Sequence, residues 1–385
     1  MVTKLEVIVT ARPSWARVKF LVTSYAEAFD TKNVSVTLVG PAVSKKYGNV
    51  STQIPEGVEF TIIPALQESD SLESVAQSCL NGSSALVNKW SRNRPDCVLV
   101  IADRTETLGV SVAAAIMQIP LIHLQGGEIS GSIDDKIRDA NSKLADFHLT
   151  TNEQTRDRLV SLGEDPARIR IVGCPSVDIV RQQLEFQGEH KNLASEEFGG
   201  VGGKFLTDDP YGLIMFHPDT FNEFENEEWV KLLIDFADSS DLNWFWFWPN
   251  PDHGSEQVSH LIRVARERNM LGNVRFVINL APERFVELAL HSKLLIGNSS
   301  FGIRESSYIG LPVINMGARQ SGRQKCENVL DIPDLLTLSE LKTRVLGHLS
   351  KGRYQRSTIY GAGDSGKRAA EAIGAWIPSL KSRKI

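Results

Sequence analysis

Residues Leu294–Asn328 read LLIGNSSFGIRESSYIGLPVINMGARQSGRQKCEN, and the fold class follows from how this stretch alternates. Its opening, Leu294–Ile296, is a short apolar run of the kind that makes a buried strand. Gly297-Asn298-Ser299-Ser300 supplies a turn and a cap, and the spacing predicts a helix with Arg304 and Glu305 near its start. Pro312–Met316 is a second apolar strand, followed by a loop with Arg319 and Arg323. A strand feeding small residues and a helix start offers backbone N–H groups to an anion. The stretch is therefore either an ordinary strand–turn–helix of an α/β sheet or a cradle for a nucleotide diphosphate, with Glu305 placed for a ribose.

The same alternation extends outward in both directions. Toward the N-terminus, Leu5–Thr10, Val34–Val39, Val58–Ile63, Cys97–Ile101 and Pro120–Leu124 read as strands. Helical patterns fall between them: one through Trp15, Val18, Leu21 and Tyr25, then Ser71–Trp90 and the alanine-rich Thr107–Met117. Ile133–Phe147 reads as a polar helix opening on Asp134-Asp135, and Leu149–Asn152 and Ile169–Val172 as further strands. The second half repeats the pattern, with strands Tyr211–Phe216, Trp244–Trp248 and Val274–Ile278 and helices Asn226–Ala237, Gln257–Arg268, Pro282–His291 and Leu341–Leu349. Strands alternating with helices point to open parallel sheets covered on both faces. The expected fold class is α/β, with two Rossmann-like, doubly wound parallel-sheet domains and a cleft between them. The expected limits are 1–180 for the N-terminal domain, 181–203 for a polar connection, 204–365 for the C-terminal domain and 366–385 for a terminal helix packing back on the N-terminal domain. Trp244, Trp246 and Trp248 alternate with Phe245 and Phe247, which reads as core on both faces of a strand.

Composition narrows the function classes. A length of 385 residues, 42% apolar and 23% charged, suits a globular protein of two domains. A formal net charge of −5 argues against a general nucleic-acid binder. Cys79, Cys97, Cys174 and Cys326 are widely spaced, as in reduced cysteines of a cytoplasmic protein rather than a disulfide frame or a zinc site. No signal peptide, anchor or membrane-length apolar run is read, so a cytoplasmic location without a membrane partner is expected.

In open parallel sheets, ligands collect at the carboxyl ends of the strands. Arg12, Asp103-Arg104, Gln125-Gly126-Gly127-Glu128 and His217 all fall there. Each has a bland reading beside its functional one. Asp103-Arg104 is either a loop charge pair or an acid/base group with a phosphate contact. Asp134-Asp135 either complements a helix dipole or joins Glu128 in a carboxylate cluster suited to proton transfer. His217, fixed by Pro218, is either a packing histidine or a catalyst. Arg12, Arg17 and Lys19 are either a solvated helix face or one side of a diphosphate grip.

Several long, collinear motifs carry a family resemblance. They are ARPSWARVK, ADRTETLGVSVAAAIMQIPLIHLQGGEISGSIDDKIRDANSKL, FHPDT, PNPD, GNSSFGIRE, INMGARQSGR and ENVLDI. Together they resemble the hydrolysing UDP-N-acetylglucosamine 2-epimerases of sialic-acid-type pathways. The resemblance implies a two-domain fold of the GT-B type, no metal and no cofactor, a UDP-linked sugar as substrate, and a homo-oligomer (dimer or tetramer). It implies elimination of UDP to a 2-acetamidoglucal, then addition of water to give an N-acetylmannosamine-type sugar. By position, Arg12, Lys19, Asn250, Asn298, Ser299, Ser300, Gly302 and Arg319 would bind the nucleotide, with Glu305 on the ribose and Arg104 near the substrate. Asp103, Gln125, Glu128, Asp134 and His217 occupy the positions of the catalytic set. Four positions depart from the family pattern: Gln125 stands where glutamate is usual, Asp139 replaces the histidine of IRHA, Ser14 replaces an acid, and Phe301 a small residue. Asp139 is a candidate for the missing carboxylate. The alternatives are a relative with another sugar or with hydrolysis alone, a GT-B glycosyltransferase, and a nucleotide-sugar binding protein impaired in catalysis.

Overall fold

A computed structural model describes residues 4–43, 50–65, 71–130, 134–186, 191–218, 223–249, 255–278 and 280–381. Contacts divide the chain into two units: unit 1 takes Met1–Ile129, Ile133–Asp178 and Gly361–Ile385, and unit 2 takes Ser130–Ser132 and Ile179–Tyr360.

Unit 1 begins β1 (Leu5–Val9), α1 (Arg12–Phe29), β2 (Val34–Val39), β3 (Glu59–Ile63), α2 (Leu72–Arg92), β4 (Cys97–Ile101), α3 (Thr105–Ile116) and β5 (Leu121–Leu124). It continues α4 (Asp134–Leu144), β6 (Phe147–Thr150), α5 (Glu153–Ser161) and β7 (Ile169–Ile171), and the division between the units falls within the next helix, α6 (Pro175–Glu185), after Asp178. Its seven strands are all parallel, in the order β3-β2-β1-β4-β5-β6-β7. The inner strands β1, β2, β4 and β5 are buried at every residue. That is why they are predominantly apolar, with the buried Glu6 and Thr37 hydrogen-bonded to each other, while the edge strand β3 exposes Phe60 and Ile62.

Unit 2 holds β8 (Val201–Gly202), β9 (Tyr211–Met215), α7 (Glu223–Asp238), β10 (Asn243–Phe247), α8 (Ser255–Glu267), β11 (Val274–Val277) and α9 (Pro282–His291). Then come β12 (Leu295–Gly297), α10 (Glu305–Ile309), β13 (Val313–Met316), β14 (Val329–Ile332) and α11 (Leu338–Leu349). The strand order is β14-β13-β12-β9-β10-β11-β8, parallel except for β8, which runs antiparallel to β11. Trp244, Phe245, Trp246 and Phe247 are buried, as core. Each unit is thus a doubly wound Rossmann-like sheet, and two in one chain make the GT-B type. The last helix, α12 (Ser365–Lys381), lies in unit 1. It packs Ala369, Ala370, Ile373 and Ile377 into the same core as Leu21 and Tyr25, and Trp376 stacks on Phe147 at 4.7 Å.

Three differences from the sequence reading have physical causes. The polar helix ends at Leu144 rather than Phe147, because Asp146 accepts from Leu121 N at 3.0 Å and donates its own N–H to Leu121 O at 2.8 Å. Those bonds start β6 two residues earlier, at Phe147. Helix α5 has little apolar periodicity and is fixed by a capping box of Asn152 and Thr155. Strand β14 carries Asp331, offset by Lys325 at 3.0 Å and Asn315 at 2.5 Å, which hid it in a search for apolar runs. Among the described residues no helix is long and apolar enough to cross a membrane.

Candidate functional site

In a doubly wound sheet the crevice opens where the strand order reverses. In unit 2 that point lies between β9 and β12, and the loops beyond these strands carry His217 and Asn298. The Asn298 side chain spans the two: its Oδ1 accepts from His217 N at 2.8 Å, and its Nδ2 donates to His217 O at 2.7 Å. The strands approach so closely that only glycine fits at Gly297, where φ is +141° and a Cβ would lie 2.1 Å from Met215 O. Asn298 O in turn accepts from Gln320 Nε2 at 2.9 Å and Arg319 Nη1 at 3.4 Å, both from the loop after β13. Burial, with the Arg319 charge, pulls the His217 pKa down to about 3, so its imidazole is neutral across the physiological range.

The helix expected after Ser299 forms in two pieces. Ser299 caps a three-residue turn, Ser300–Gly302, and α10 starts only at Glu305. Ser306 and Ser307 spend their hydroxyls on the carbonyls of Gly302 and Arg304, competing with helical backbone bonding in this serine-rich segment. Arg304 is buried, donating to Ser300 Oγ at 3.1 Å and lying 3.7 Å from Glu305 Oε2. The Glu305 carboxylate is buried with no hydrogen bond on Oε2, a cost that suits an acceptor awaiting a donor. Gly302 faces Val313 and Leu295 of the sheet. Phe301 turns into the core of unit 2 against Phe285, 4.6 Å between ring centres, so this departure from the family is absorbed by packing. Asn250 lies outside the described residues.

In unit 1 the order reverses between β1 and β4. Thr10 and Thr107 meet across this point at 3.5 Å. Arg12 opens α1, and Lys19 follows two turns later, its ammonium 4.9 Å from the Phe20 ring. Asp103 follows Ala102, which has a left-handed φ of 57° although it is not glycine. Arg138 of α4 is 1% exposed and grips the 23%-exposed Asp103 with one guanidinium nitrogen. Its other donates to Glu128 O at 2.8 Å and Asp135 Oδ1 at 2.5 Å. Burial works to raise the Asp103 pKa, but Arg138 and Arg17 outweigh it and hold the carboxyl below its usual range.

Gln125 is the second left-handed residue, with φ 66°, beyond the end of β5. Its buried side chain accepts from Arg17 at 3.3 Å and donates to Glu128 Oε1 at 3.4 Å and Cys174 Sγ at 3.6 Å. Gly127 must be glycine: φ is +80° and a Cβ would meet Thr155 O at 2.2 Å. Behind Asp103, His123 donates from Nε2 to Ala102 O at 2.9 Å, and its Nδ1 accepts from Ser142 Oγ at 3.0 Å. Burial brings the His123 pKa to about 3. Asp134 opens α4, half-buried, while Arg104 points outward, 44% exposed, to Glu106 at 3.2 Å. Asp139 is clamped by Arg158 through two bonds of 2.6 and 2.7 Å, so its carboxylate is spent on α5 rather than replacing a glutamate at position 125.

Within unit 1 the structure therefore joins Asp103, Gln125 and Glu128 through Arg138 and Arg17. Within unit 2 it joins His217, Asn298 and Arg319. Sequence reasoning missed Arg138, His123 and Gln320 as parts of these clusters. For Arg138 the signal was present, an acid and an arginine at i,i+3 on one helix. Among the described residues no group of His, Cys, Asp and Glu side chains is arranged to hold a metal ion.

Comparison with known proteins extends this geometry. The UDP-N-acetylglucosamine 2-epimerase family model matches residues 28–374. The chain is 28% identical to a UDP-N,N'-diacetylbacillosamine 2-epimerase (hydrolyzing) of Legionella pneumophila, over 89% of this chain and 88% of that protein. It is also 28% identical to a UDP-N-acetylglucosamine 2-epimerase of Neisseria meningitidis serogroup B, over 98% of this chain and 97% of the relative. The fold matches the solved Methanocaldococcus jannaschii UDP-GlcNAc 2-epimerase, in complex with UDP-GlcNAc and UDP, with a TM-score of 0.76 and 16% identity over 97% of this chain and 99% of that one. With the family model spanning both Rossmann-like units, the chain belongs to the UDP-N-acetylglucosamine 2-epimerase family.

Proposed function

We propose that this protein is a hydrolysing nucleotide-sugar 2-epimerase that converts UDP-N-acetylglucosamine, or a related UDP-linked N-acyl hexosamine, to UDP and a free 2-epimeric sugar. The observation that carries the reading is the cluster of Asp103, Gln125 and Glu128 on Arg138 and Arg17 at the strand ends of unit 1. Elimination removes the C2 proton, breaks the bond from C1 to the diphosphate oxygen and forms a C1–C2 double bond. Water then supplies a hydroxyl to C1 and a proton to C2.

We assign removal of the C2 proton to Glu128. Asp103, kept anionic by two guanidinium groups, is too weak a base for so poor an acid and serves as a fixed charge. Gln125 orients by hydrogen bonds and cannot take up a proton. Asp134 is the remaining carboxylate of the set, and we assign to it delivery of water. In unit 2 we assign the diphosphate to Arg319, Ser299 and Ser300, with a hydrogen bond from neutral His217, and the ribose to Glu305. A diphosphate leaves as an anion near neutral pH, so a cationic grip meets its need.

The name of the Legionella relative supports a second reading, a 2,4-diacetamido sugar in place of N-acetylglucosamine. Incubation with each UDP-sugar in deuterium oxide, followed by proton NMR, tests both. The expected result is UDP release with deuterium at C2, and Glu128→Gln abolishing it. Release without deuterium at C2 would leave a simple hydrolase, and binding without turnover a sensor.

A further inference from the structure

The loop after β13 holds a buried carboxamide that none of the steps above uses. Gln320 is 1% exposed, donates from Nε2 to Asn298 O at 2.9 Å and accepts on Oε1 from Arg323 Nη1. Asn298, also buried, spends both ends of its own amide on the His217 backbone. The link from the Arg323 guanidinium therefore runs through the Gln320 carboxamide to the Asn298 backbone carbonyl, and from there through the Asn298 side chain to the His217 backbone. A carbonyl demands a donor and a guanidinium demands an acceptor, and a carboxamide is a neutral group that satisfies both at once. The loop is anchored at its base by Gly317 N on Ile332 O at 2.8 Å and turned by Ser321 N on Ala318 O at 2.9 Å. Arg319, at 3.4 Å, is a longer second donor to the same Asn298 carbonyl.

We propose that Gln320 is a positioning residue: it holds the Asn298 peptide, and through it the His217 backbone, in register with the Arg323 guanidinium, which makes Arg323 a second arginine for the anionic part of the substrate. What His217 and Arg323 act on rests on the functional reading above; the positioning itself is a property of the unliganded protein. Gln320→Glu keeps an acceptor for Arg323 but turns a carboxylate oxygen toward the Asn298 carbonyl. Gln320→Met keeps the volume and loses both links.

The test uses the full chain labelled with 15N-histidine, with hydrogen exchange at the His217 amide followed without ligand. UDP binding by calorimetry and turnover of UDP-N-acetylglucosamine are measured on the same samples. Both variants are expected to exchange the His217 amide about tenfold faster, the effect of one lost buried hydrogen bond. Gln320→Met also weakens UDP binding about tenfold, through Arg323 and His217 together, whereas Gln320→Glu, with Arg323 still held, weakens it less but turns over about 10²-fold slower because His217 is misplaced. Packing alone would lower Tm, speed the buried His123 and His148 amides along with that of His217 and leave Kd unchanged, and His217 exchange that is unchanged or rises only with those two overturns the proposal. Should Gln320→Met fail to fold, Gln320→Glu carries the exchange comparison. A wild-type protein that binds no UDP would overturn the functional reading, while the exchange result still decides the role of Gln320.

Discussion

The strand ends of the two units are built from different chemistry. In unit 1 a buried guanidinium, Arg138, ties together Asp103, Asp135 and the Glu128 carbonyl, so the rim is held by charge. In unit 2 the corresponding place is held by neutral amides, Asn298 on His217 and Gln320 on Asn298. The backbone differs in the same way. Unit 1 forces the side-chain-bearing residues Ala102 and Gln125 into the left-handed region, whereas unit 2 uses Gly297 at its tightest approach. Strain of that kind persists only where the surroundings over-determine it, and it gathers at sites that must aim a particular side chain. The proposed function accordingly assigns the reacting groups to the rim of unit 1 and the nucleotide to the rim of unit 2.

The comparison breaks most sharply at Arg138. Arg138→Met takes away the buried guanidinium that Asp103 and Asp135 share and leaves Asp103 with Arg17 alone, and removing one partner of such a cluster costs about 3 kcal/mol. Urea unfolding should show that loss, and turnover should vanish with it. The amide rim is expected to be milder. Asn298→Ala orphans the His217 N–H and C=O, for about 1–3 kcal/mol by the same measurement. Equal losses for the two variants would remove the distinction between a charged and a neutral rim.

Each rim also buries one histidine, His123 in unit 1 and His217 in unit 2, both with a pKa of about 3. Unfolded histidine titrates near ~6.5. Between these values the unfolded chain binds more protons than the native one, so stability is lost as pH falls below the unfolded value. Well inside that window each histidine contributes a slope of about 1.4 kcal/mol per pH unit. His123→Gln and His217→Gln, compared by urea unfolding at pH 7 and pH 5, should each flatten the pH dependence by one proton. The catalytic profile should behave otherwise: neutral His217 and anionic Asp103 together predict no acid limb near pH 6.5 in kcat/KM.

Much of this was legible in the sequence, for reasons specific to each element. Strand Cys97–Ile101 is buried on both faces and apolar throughout, so it is found by inspection with both ends correct. A proline at the start and a histidine at the end bounded α9 equally well. The strand-end rule located Arg12, Asp103, Gln125, Glu128 and His217 without any coordinates. What sequence could not supply was direction. Nothing in RDANSK says that Arg138 turns inward to Asp103 while the next residue, Asp139, turns outward to Arg158. Nor does NSSFGIRESS reveal that its phenylalanine leaves for the core or that Ser306 and Ser307 turn their hydroxyls onto the carbonyls of Gly302 and Arg304. Adjacent residues on a helix part by about 100°, and only tertiary contacts choose which one faces the site.

Gln125 sharpens the comparison within unit 1 itself. Gln125→Glu restores the carboxylate that the family resemblance expects and sets it 3.4 Å from Glu128, with Arg17 3.3 Å away on the other side. Two carboxylates so close cannot both ionise freely, and one of the pair gains proton affinity. The variant should therefore move the acid limb of kcat/KM to higher pH than in the wild type, read from pH–rate profiles on the same nucleotide sugar. An unchanged profile would mean that Arg17 alone sets the charge at this position.

The smallest effect is expected at Asp139, and it separates the two carboxylate populations of α4. Asp134 and Asp135 begin the helix on the side of Arg138, whereas Asp139 pairs with Arg158 at a partly exposed surface. Exposed pairs of this kind contribute roughly 0.2–1 kcal/mol, with the upper end for a two-bond arginine fork. Asp139→Asn should lower stability by no more than about 1 kcal/mol and leave both kcat and the deuterium content at C2 unchanged. If turnover falls by tenfold at unchanged stability, the carboxylate missing at position 125 is supplied from Asp139 after all, and the charged rim of unit 1 reaches one helical turn further than the Arg138 cluster.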